Sequence, residues 1–326
     1  MRGTPANLPD VSLVGDITGK LTGDEDDYNR NKILIREIEF ALQGYLYPEM
    51  RADVFMAFHR HEDQIEAEIC QGYASFLNLP GGFGLIVGKK HVDFGKVNKV
   101  CQHHVPYVER PLVLSTFFGG EGLEGEGASI DCLLPLPFFL QLGFGTWIVE
   151  GEDEAEGEEE FGMAGNVHTT RAWMSFPLGA SAELEIGGSG AFGNGPQYEE
   201  NKDDVTVLGV DLTYKAWPTA YQRLTLQGEA LFLTRDLPAE KINRIGLYGY
   251  LGYRFTKYWD AGILLDWTEN ADLEKDLTKK ISAAITNHLT ETTMVRFQYG
   301  YGLDAQQHEA IVQLIFGIGP HSHPLE

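Results

Sequence analysis

Three kinds of feature are scarce in this chain, and each scarcity excludes a class of protein. No apolar run approaches the roughly 20 residues that a membrane-spanning helix requires, so a helical membrane protein is excluded. Basic residues number 25 against 48 acidic ones, giving a formal net charge of -23, which argues against a nucleic-acid partner. Cysteine occurs only as Cys70, Cys101 and Cys132, and so sparse a set predicts no disulfide framework.

Sequence motifs of common enzyme classes are also missing. The chain has no Gly-rich phosphate loop, no HExxH and no GxSxG. The stretch "GGSGAFGNG" at residues 187–195 places a serine between glycines, but the strand-turn-helix context of a nucleophile elbow does not follow it. We therefore expect no enzymatic activity and no cofactor.

What the sequence contains is alternation of apolar and polar residues. From residue 11 onward it divides into sixteen segments, mostly of about 10 to 15 residues, with a period of two, which is typical of strands. In residues 220–235, for example, Leu224 and Leu226 share one face while Thr225 and Gln227 share the other. Such alternation suits a soluble sandwich as well as a membrane barrel. The lengths of the connections between segments distinguish the two folds.

Those connections alternate between short and long. Tight turns such as "YPEM", "LPGG" and "LPLP" are separated by longer polar stretches such as "EGEDEAEGEEE" at residues 150–160, which we expect to be a solvated loop tip. Short turns at one rim and long loops at the other are typical of outer-membrane barrels. The prediction is an all-β, transmembrane, antiparallel up-and-down barrel of about 16 strands, with 14 as the alternative.

The predicted barrel is one domain, and one of its connections is unusual. Residues 11–320 form the barrel, residues 1–10 an N-terminal extension and residues 321–326 a C-terminal tail. Residues 92–125 have no steady period, yet they are rich in apolar side chains such as Val113 and Phe117. Because such side chains need a surface to bury against, we expect a constriction loop folded into the lumen. The alternative is a loop packed across the mouth.

The polar groups of this loop are candidates for a pore constriction. We expect the aperture to be faced by Lys96, His103, His104, Glu109 and Arg110. The soft and imidazole ligands of Cys101, His103 and His104 also suit a metal such as zinc. The alternative is a polar loop whose histidines form hydrogen bonds with the barrel wall.

Selectivity is predicted from the charged residues on the polar face of the strands. The expected lumen-lining residues are Glu37, Glu39, Glu66, Glu68, Asp211, Arg223, Glu229, Arg244, Arg254 and Arg296. The full inward face carries more carboxylates than basic groups, and rings of carboxylates favour cations. A cation preference is therefore expected, whereas phosphate selectivity would need the reverse balance.

Residues 72–127 carry a specific resemblance. The turn "LPGG", the segment "FGKVN", an Arg-Pro pair and "GGEG" follow one another there. This stretch resembles a family of bacterial outer-membrane barrels often labelled zinc-regulated or TonB-dependent outer-membrane receptor, and it is more remotely similar to phosphate-selective porins. The resemblance implies a location in the bacterial outer membrane. A TonB-dependent receptor has 22 strands and a plug, which 326 residues cannot provide, so passive passage is expected.

The expected function is a porin-like channel for passive diffusion of small hydrophilic solutes. Its expected partners are outer-membrane lipid and those solutes or ions. A homo-oligomer, in which the chain contacts further copies of itself, is one of two alternatives, the other being a monomer. No nucleic-acid partner is expected. The alternatives are a metal-uptake channel for zinc and a closed structural or interaction barrel without transport.

Overall fold

Sixteen β-strands and one short α-helix are found in the part of the chain that the structure describes. The computed structural model describes residues 9–320 except 26, 62–63, 151–160, 197–202, 239 and 272–274, and the side chains of 60–65 are outside that description. The elements are β1 (Asp10–Thr22), β2 (Lys32–Tyr47), β3 (Met50–His61), β4 (Gln64–Leu79), β5 (Phe83–His91), α1 (Leu112–Phe118), β6 (Glu124–Leu133), β7 (Phe139–Val149), β8 (Ala164–Pro177), β9 (Ala182–Asn194), β10 (Asp204–Ala216), β11 (Arg223–Asp236), β12 (Lys241–Arg254), β13 (Trp259–Glu269), β14 (Leu277–His288), β15 (Thr293–Gly302) and β16 (Gln307–Ile318).

The strands form one closed antiparallel barrel. Each strand pairs with its neighbours in sequence, and β1 pairs with β16 in a register that runs from Leu13 opposite Ile318 to Thr22 opposite Glu309. Closure matters because an open edge in lipid would leave backbone groups without hydrogen-bond partners. The 16-stranded barrel predicted from the sequence is confirmed, and the 14-stranded alternative is wrong.

The two faces of each strand differ in the way a membrane barrel requires. On β10, Asp211 and Thr213 point inward with 4% and 0% exposure, whereas Leu208, Val210 and Leu212 point outward with 49%, 57% and 48%. Because lipid accepts apolar side chains and the lumen accepts polar ones, one strand serves both surroundings by alternating. The outer surface therefore carries an apolar belt.

Exposed aromatic side chains gather at the rim with the short turns. Trp217, Tyr221, Tyr258 and Trp259 all lie there with substantial exposure, as expected for rings at the headgroup level. At the opposite rim, the acidic stretch predicted to be a solvated loop tip lies outside the described residues apart from Glu150. Among the helices that are described, none has the length and apolar character to span a bilayer.

The connection between β5 and β6, residues 92–123, is called the inner loop below. It contains a 3-10 turn at Gln102–His104 and the helix α1. Its apolar side chains form one buried cluster with inward-facing strand residues, and the cluster includes Phe94 and Phe117 of the loop with Val207, Leu231 and Leu233 of the wall. The molecule has its core inside the barrel, between loop and wall. The predicted inward folding of the loop is confirmed.

Candidate functional site: the barrel lumen and its inner loop

One asparagine ties the two ends of the inner loop together. Asn98 donates from Nδ2 to the carbonyl oxygens of Val92 at 2.9 Å and Leu123 at 2.8 Å, and its Oδ1 accepts from the backbone N–H of Leu123 at 2.8 Å. Its side chain is fully buried. Because a buried amide must satisfy both its donors and its acceptor, this arrangement fixes the base of the loop.

Helix α1 packs against β12 and β13, where the wall makes room for it. Its Val113, Leu114 and Phe117 have no solvent exposure. A side chain at Gly246 of β12 would approach Val113 to 2.4 Å, so only glycine leaves space there. The backbone N–H of Leu112, at the start of the helix, donates to the Asp266 carboxylate at 3.0 Å. Wall residues therefore supply both the recess and the cap that hold this helix.

A buried carboxylate on β11 holds the first part of the loop. Glu229 accepts hydrogen bonds from the backbone N–H groups of Lys96 at 2.9 Å and Val97 at 3.0 Å, and from the hydroxyl of Tyr248 at 2.7 Å. Gly95 adopts a φ of +57° beside it, and a Cβ at that position would lie 2.0 Å from Glu229 Oε2. Glycine is required here for both reasons.

Residues 107–108 reach the opposite wall. The backbone N–H of Val108 donates to Gln298 Oε1 at 2.9 Å, and Arg296 donates to the carbonyl of Tyr107 at 2.9 Å. Arg36 on β2 donates to the carbonyl of Val108 at 2.8 Å. The inner loop thus crosses the lumen from β11 to β15 and β2.

The predicted constriction residues lie on this loop, and most of them contact other protein groups rather than an open aperture. Lys96 donates to Glu185 at 2.5 Å, and Glu109 accepts from Lys280 at 2.7 Å. Arg110 is buried and donates to the carbonyl of Asn98 at 3.4 Å. These partners stabilise the charges inside the lumen, and the place of these groups at an aperture stays a prediction.

Glu109 lies between two ammonium groups. Burial raises the pKa of its carboxyl, but the ammonium groups of Lys280 and Lys20 outweigh that effect and lower the pKa to about 2. Lys20 lies 3.3 Å from the same carboxylate. A cavity of about 110 Å³ adjoins this ion pair and lies between the inner loop and the wall of β1, β2 and β16.

The predicted metal ligands of the loop are not brought together as a group. The thiol of Cys101 accepts from Gln71 Nε2 at 3.4 Å, and the rings of His103 and His104 meet edge to face at 4.4 Å. Within the described part of the chain, two sets of three possible ligands have donor atoms within 4.8 Å of one another. One joins His103 to Glu37 and Glu39, and the other lies on β3 and β4.

The predicted lumen residues lie at three heights along the barrel axis. Glu39, Asp211, Glu229 and Arg296 are buried on the inner wall, and Glu37 is half-buried near His103. Near the loop rim lie Glu66, Glu68 and Arg244, whose Nε donates to the carbonyl of Asn270. Arg223 and Arg254 are register partners near the rim with the short turns.

Several charged lumen residues were not identified from the sequence. Arg171 on β8 donates to both carboxylate oxygens of Asp211, at 2.8 and 3.2 Å, and Arg235 does the same with Asp203, at 2.7 and 2.8 Å. Such bidentate pairs are geometrically specific. The signal that could have located Arg171 is its place on the inward face of an alternating strand. These pairs neutralise part of the acidic excess predicted for the lumen.

Comparisons with solved structures identify the fold. The sequence matches no model of a known protein family. The chain superposes on an anion-selective porin of Comamonas acidovorans with a TM-score of 0.62, at 9% identity, covering 95% of this chain and 100% of that one. The chain has the fold of the outer-membrane porins. This porin fold, with its apolar outer belt, is consistent with the outer-membrane location predicted from the sequence.

Two further structures share the porin fold, and one sequence relative is more similar in sequence. The outer-membrane channel DcaP of Acinetobacter baumannii gives a TM-score of 0.62 at 10% identity, covering 97% of this chain and 99% of that one. OmpT of Vibrio cholerae, in a trimer form, gives 0.60 at 10%, covering 96% and 100%. An uncharacterized protein of Aquifex aeolicus (strain VF5) is 30% identical over 316 residues, covering 83% of this chain and 66% of that protein's length.

Proposed function

We propose that the chain is a channel of the bacterial outer membrane through which small hydrophilic solutes diffuse passively, with a preference for cations. The observation that supports this proposal is an inner loop folded into a closed porin-type barrel whose inner wall carries many charged side chains. A loop inside the lumen narrows the passage while the barrel wall around it stays complete. The proposal assigns no chemical reaction to the chain.

The proposed constriction is the region where the inner loop meets the wall. Glu109 with Lys20 and Lys280 forms one side of it, and Glu37, which lies beside the buried His103 ring and the buried Glu39, forms another. The second group is richer in carboxylates than in fixed positive charge, and it supports the cation preference. Because pairs such as Arg171 and Asp211 cancel elsewhere, the preference is modest.

A closed barrel without transport is the second candidate. Its support is the set of hydrogen bonds that fasten the inner loop to opposite walls, through Glu229 on one side and Gln298 on the other. Metal uptake is the third candidate, and its support is the ligand group formed by His103, Glu37 and Glu39. A homo-oligomer is part of the channel proposal, because one structural neighbour is a trimer.

The selectivity is tested by reversal potentials across a planar bilayer in a salt gradient. We expect the sign of a cation-preferring channel, with a preference that weakens as salt screens the lumen charges. The double substitution Glu37→Gln and Glu39→Gln should reduce the preference, whereas Glu291→Gln in an exposed turn should not. An anion preference in the unsubstituted chain would contradict the selectivity part of the proposal.

A further inference from the structure

We propose that His59, Glu68 and Cys70 form a binding site for a divalent transition metal of the zinc class, on the inner face of the barrel near the loop rim. His59 Nε2 lies 3.2 Å from Glu68 Oε1 and 3.5 Å from Cys70 Sγ. Cys70 Sγ lies 3.5 Å from the same Glu68 oxygen. The three donor atoms therefore form a compact and nearly equilateral triangle.

That triangle has the size of one face of a zinc coordination tetrahedron. Zinc binds imidazole nitrogen and carboxylate oxygen at about 2.1 Å and thiolate sulfur at about 2.3 Å, so two such ligands at a tetrahedral angle are about 3.4 Å apart for N and O and about 3.6 Å apart when one is sulfur. The three observed separations are within a few tenths of an ångström of these values. A metal could enter with little movement of the side chains.

The strand geometry explains why these residues meet. Glu68 and Cys70 are two apart on β4 and share a face, while His59 lies on the adjacent β3. The register between the two strands shifts there, because Phe55 pairs with Gln71 and Met56 with Ile69. Cys70 is thus the extra residue of a β-bulge, a feature that redirects side chains and is frequent beside functional sites.

The kinds of ligand favour zinc over the hard cations. Magnesium and calcium prefer oxygen ligands, whereas a set of imidazole, thiolate and carboxylate suits zinc and its neighbours in the first transition row. Access is available from the lumen, because 46% of the Glu68 side chain and 24% of the His59 side chain are exposed. The buried Cys70 thiol could not bind a metal without such an open path from the lumen.

A second carboxylate, which could serve as a fourth ligand, lies beside the triangle. Glu37 on β2 is the cross-strand partner of His59, and it also lies 3.9 Å from His103 Nδ1 on the inner loop. Water or Glu37 can complete a four-coordinate metal. If Glu37 binds, the metal also connects the wall to the inner loop through His103, which links the site to the proposed constriction.

The neighbouring group of His103, Glu37 and Glu39 is the weaker candidate. The two ring nitrogens of His103 face different carboxylates, Nδ1 that of Glu37 and Nε2 that of Glu39, each at 3.9 Å. One metal can use only one of those nitrogens, and no sulfur takes part. The two groups therefore make different predictions, which substitution can distinguish.

The test uses the full chain without an affinity tag, folded in detergent and treated with a chelator, so it does not depend on whether the barrel conducts. Addition of Co²⁺ should produce a charge-transfer absorption band from a cobalt-thiolate bond, and Zn²⁺ should abolish it at one equivalent. Absence of that band in the unsubstituted protein would overturn the proposal without any variant.

Substitutions locate the site. Cys70→Ser should remove the cobalt-thiolate band, and His59→Gln should weaken Zn²⁺ binding by more than the roughly 10- to 100-fold that loss of an outer-shell partner costs. Cys132→Ser, at the other end of the barrel wall, should change neither the cobalt-thiolate band nor the affinity for Zn²⁺. The site is misassigned if Cys101→Ser removes the band instead, or if His103→Gln abolishes binding while His59→Gln does not.

Discussion

Replacing residues 96–118 of the inner loop with a short Gly-Ser linker should raise the single-channel conductance several-fold. The segment crosses the lumen and contributes the loop half of the internal core, including Val113, Leu114 and Phe117. Its removal leaves all sixteen strand pairings intact, so the barrel should still close. The variant should be less stable than the parent, because Leu231 and Leu233 lose apolar burial that stabilises by about 25 cal/mol per Å².

The control variant carries the same linker at another position and retains the inner loop. The same Gly-Ser sequence inserted between Asp304 and Ala305, in the exposed turn before β16, should not change the conductance. Heat-modified migration in gel electrophoresis would show that both variants have closed barrels. Equal conductance of the deletion variant and its parent would mean that residues 96–118 do not limit passage.

The substitution Asn98→Ala should detach the base of the inner loop. The carbonyl oxygens of Val92 and Leu123 keep other donors, Phe94 N–H and Val92 N–H respectively. The N–H of Leu123 loses its acceptor in a buried place. A buried unsatisfied donor costs about 1 to 3 kcal/mol, so the free energy of unfolding in urea should fall by about that amount. The single-channel current should also become noisier as the loop loosens.

A matched control is available in a second asparagine. Asn287, near the end of β14, also donates through Nδ2 to a backbone carbonyl, that of Tyr258 in the turn before β13, but this hydrogen bond is exposed. Asn287→Ala should therefore leave both stability and current noise nearly unchanged, since water replaces the lost partner. Equal effects of the two substitutions would show that burial of the Asn98 bonds is not what holds the loop.

Much of the barrel could be predicted because lipid and lumen impose alternation on every strand. The segment predicted at residues 204–217 became β10 at Asp204–Ala216, and the one predicted at 82–91 became β5 at Phe83–His91. Inward folding of the inner loop also followed from its apolar content. These features depend on local pattern and on composition, which a single sequence displays directly.

What could not be predicted depends on contacts between distant parts of the chain. Helix α1 has seven residues, and its fold is stabilised by Asp266 and by the recess at Gly246, neither of which is local. The pairing of Arg171 with Asp211 requires the strand register. The bulge at Cys70, which brings it beside His59, is likewise invisible to a period-two pattern.

Single-channel recording of the intact chain in a planar bilayer tests the central claim most directly. The account predicts discrete, reproducible conductance steps, smaller than those of the variant that lacks residues 96–118, because solutes pass between the inner loop and the wall. If the intact chain inserts and gives no steps while the loop-deleted variant conducts, the inner loop seals the lumen, and the barrel is not a passive channel in the form described.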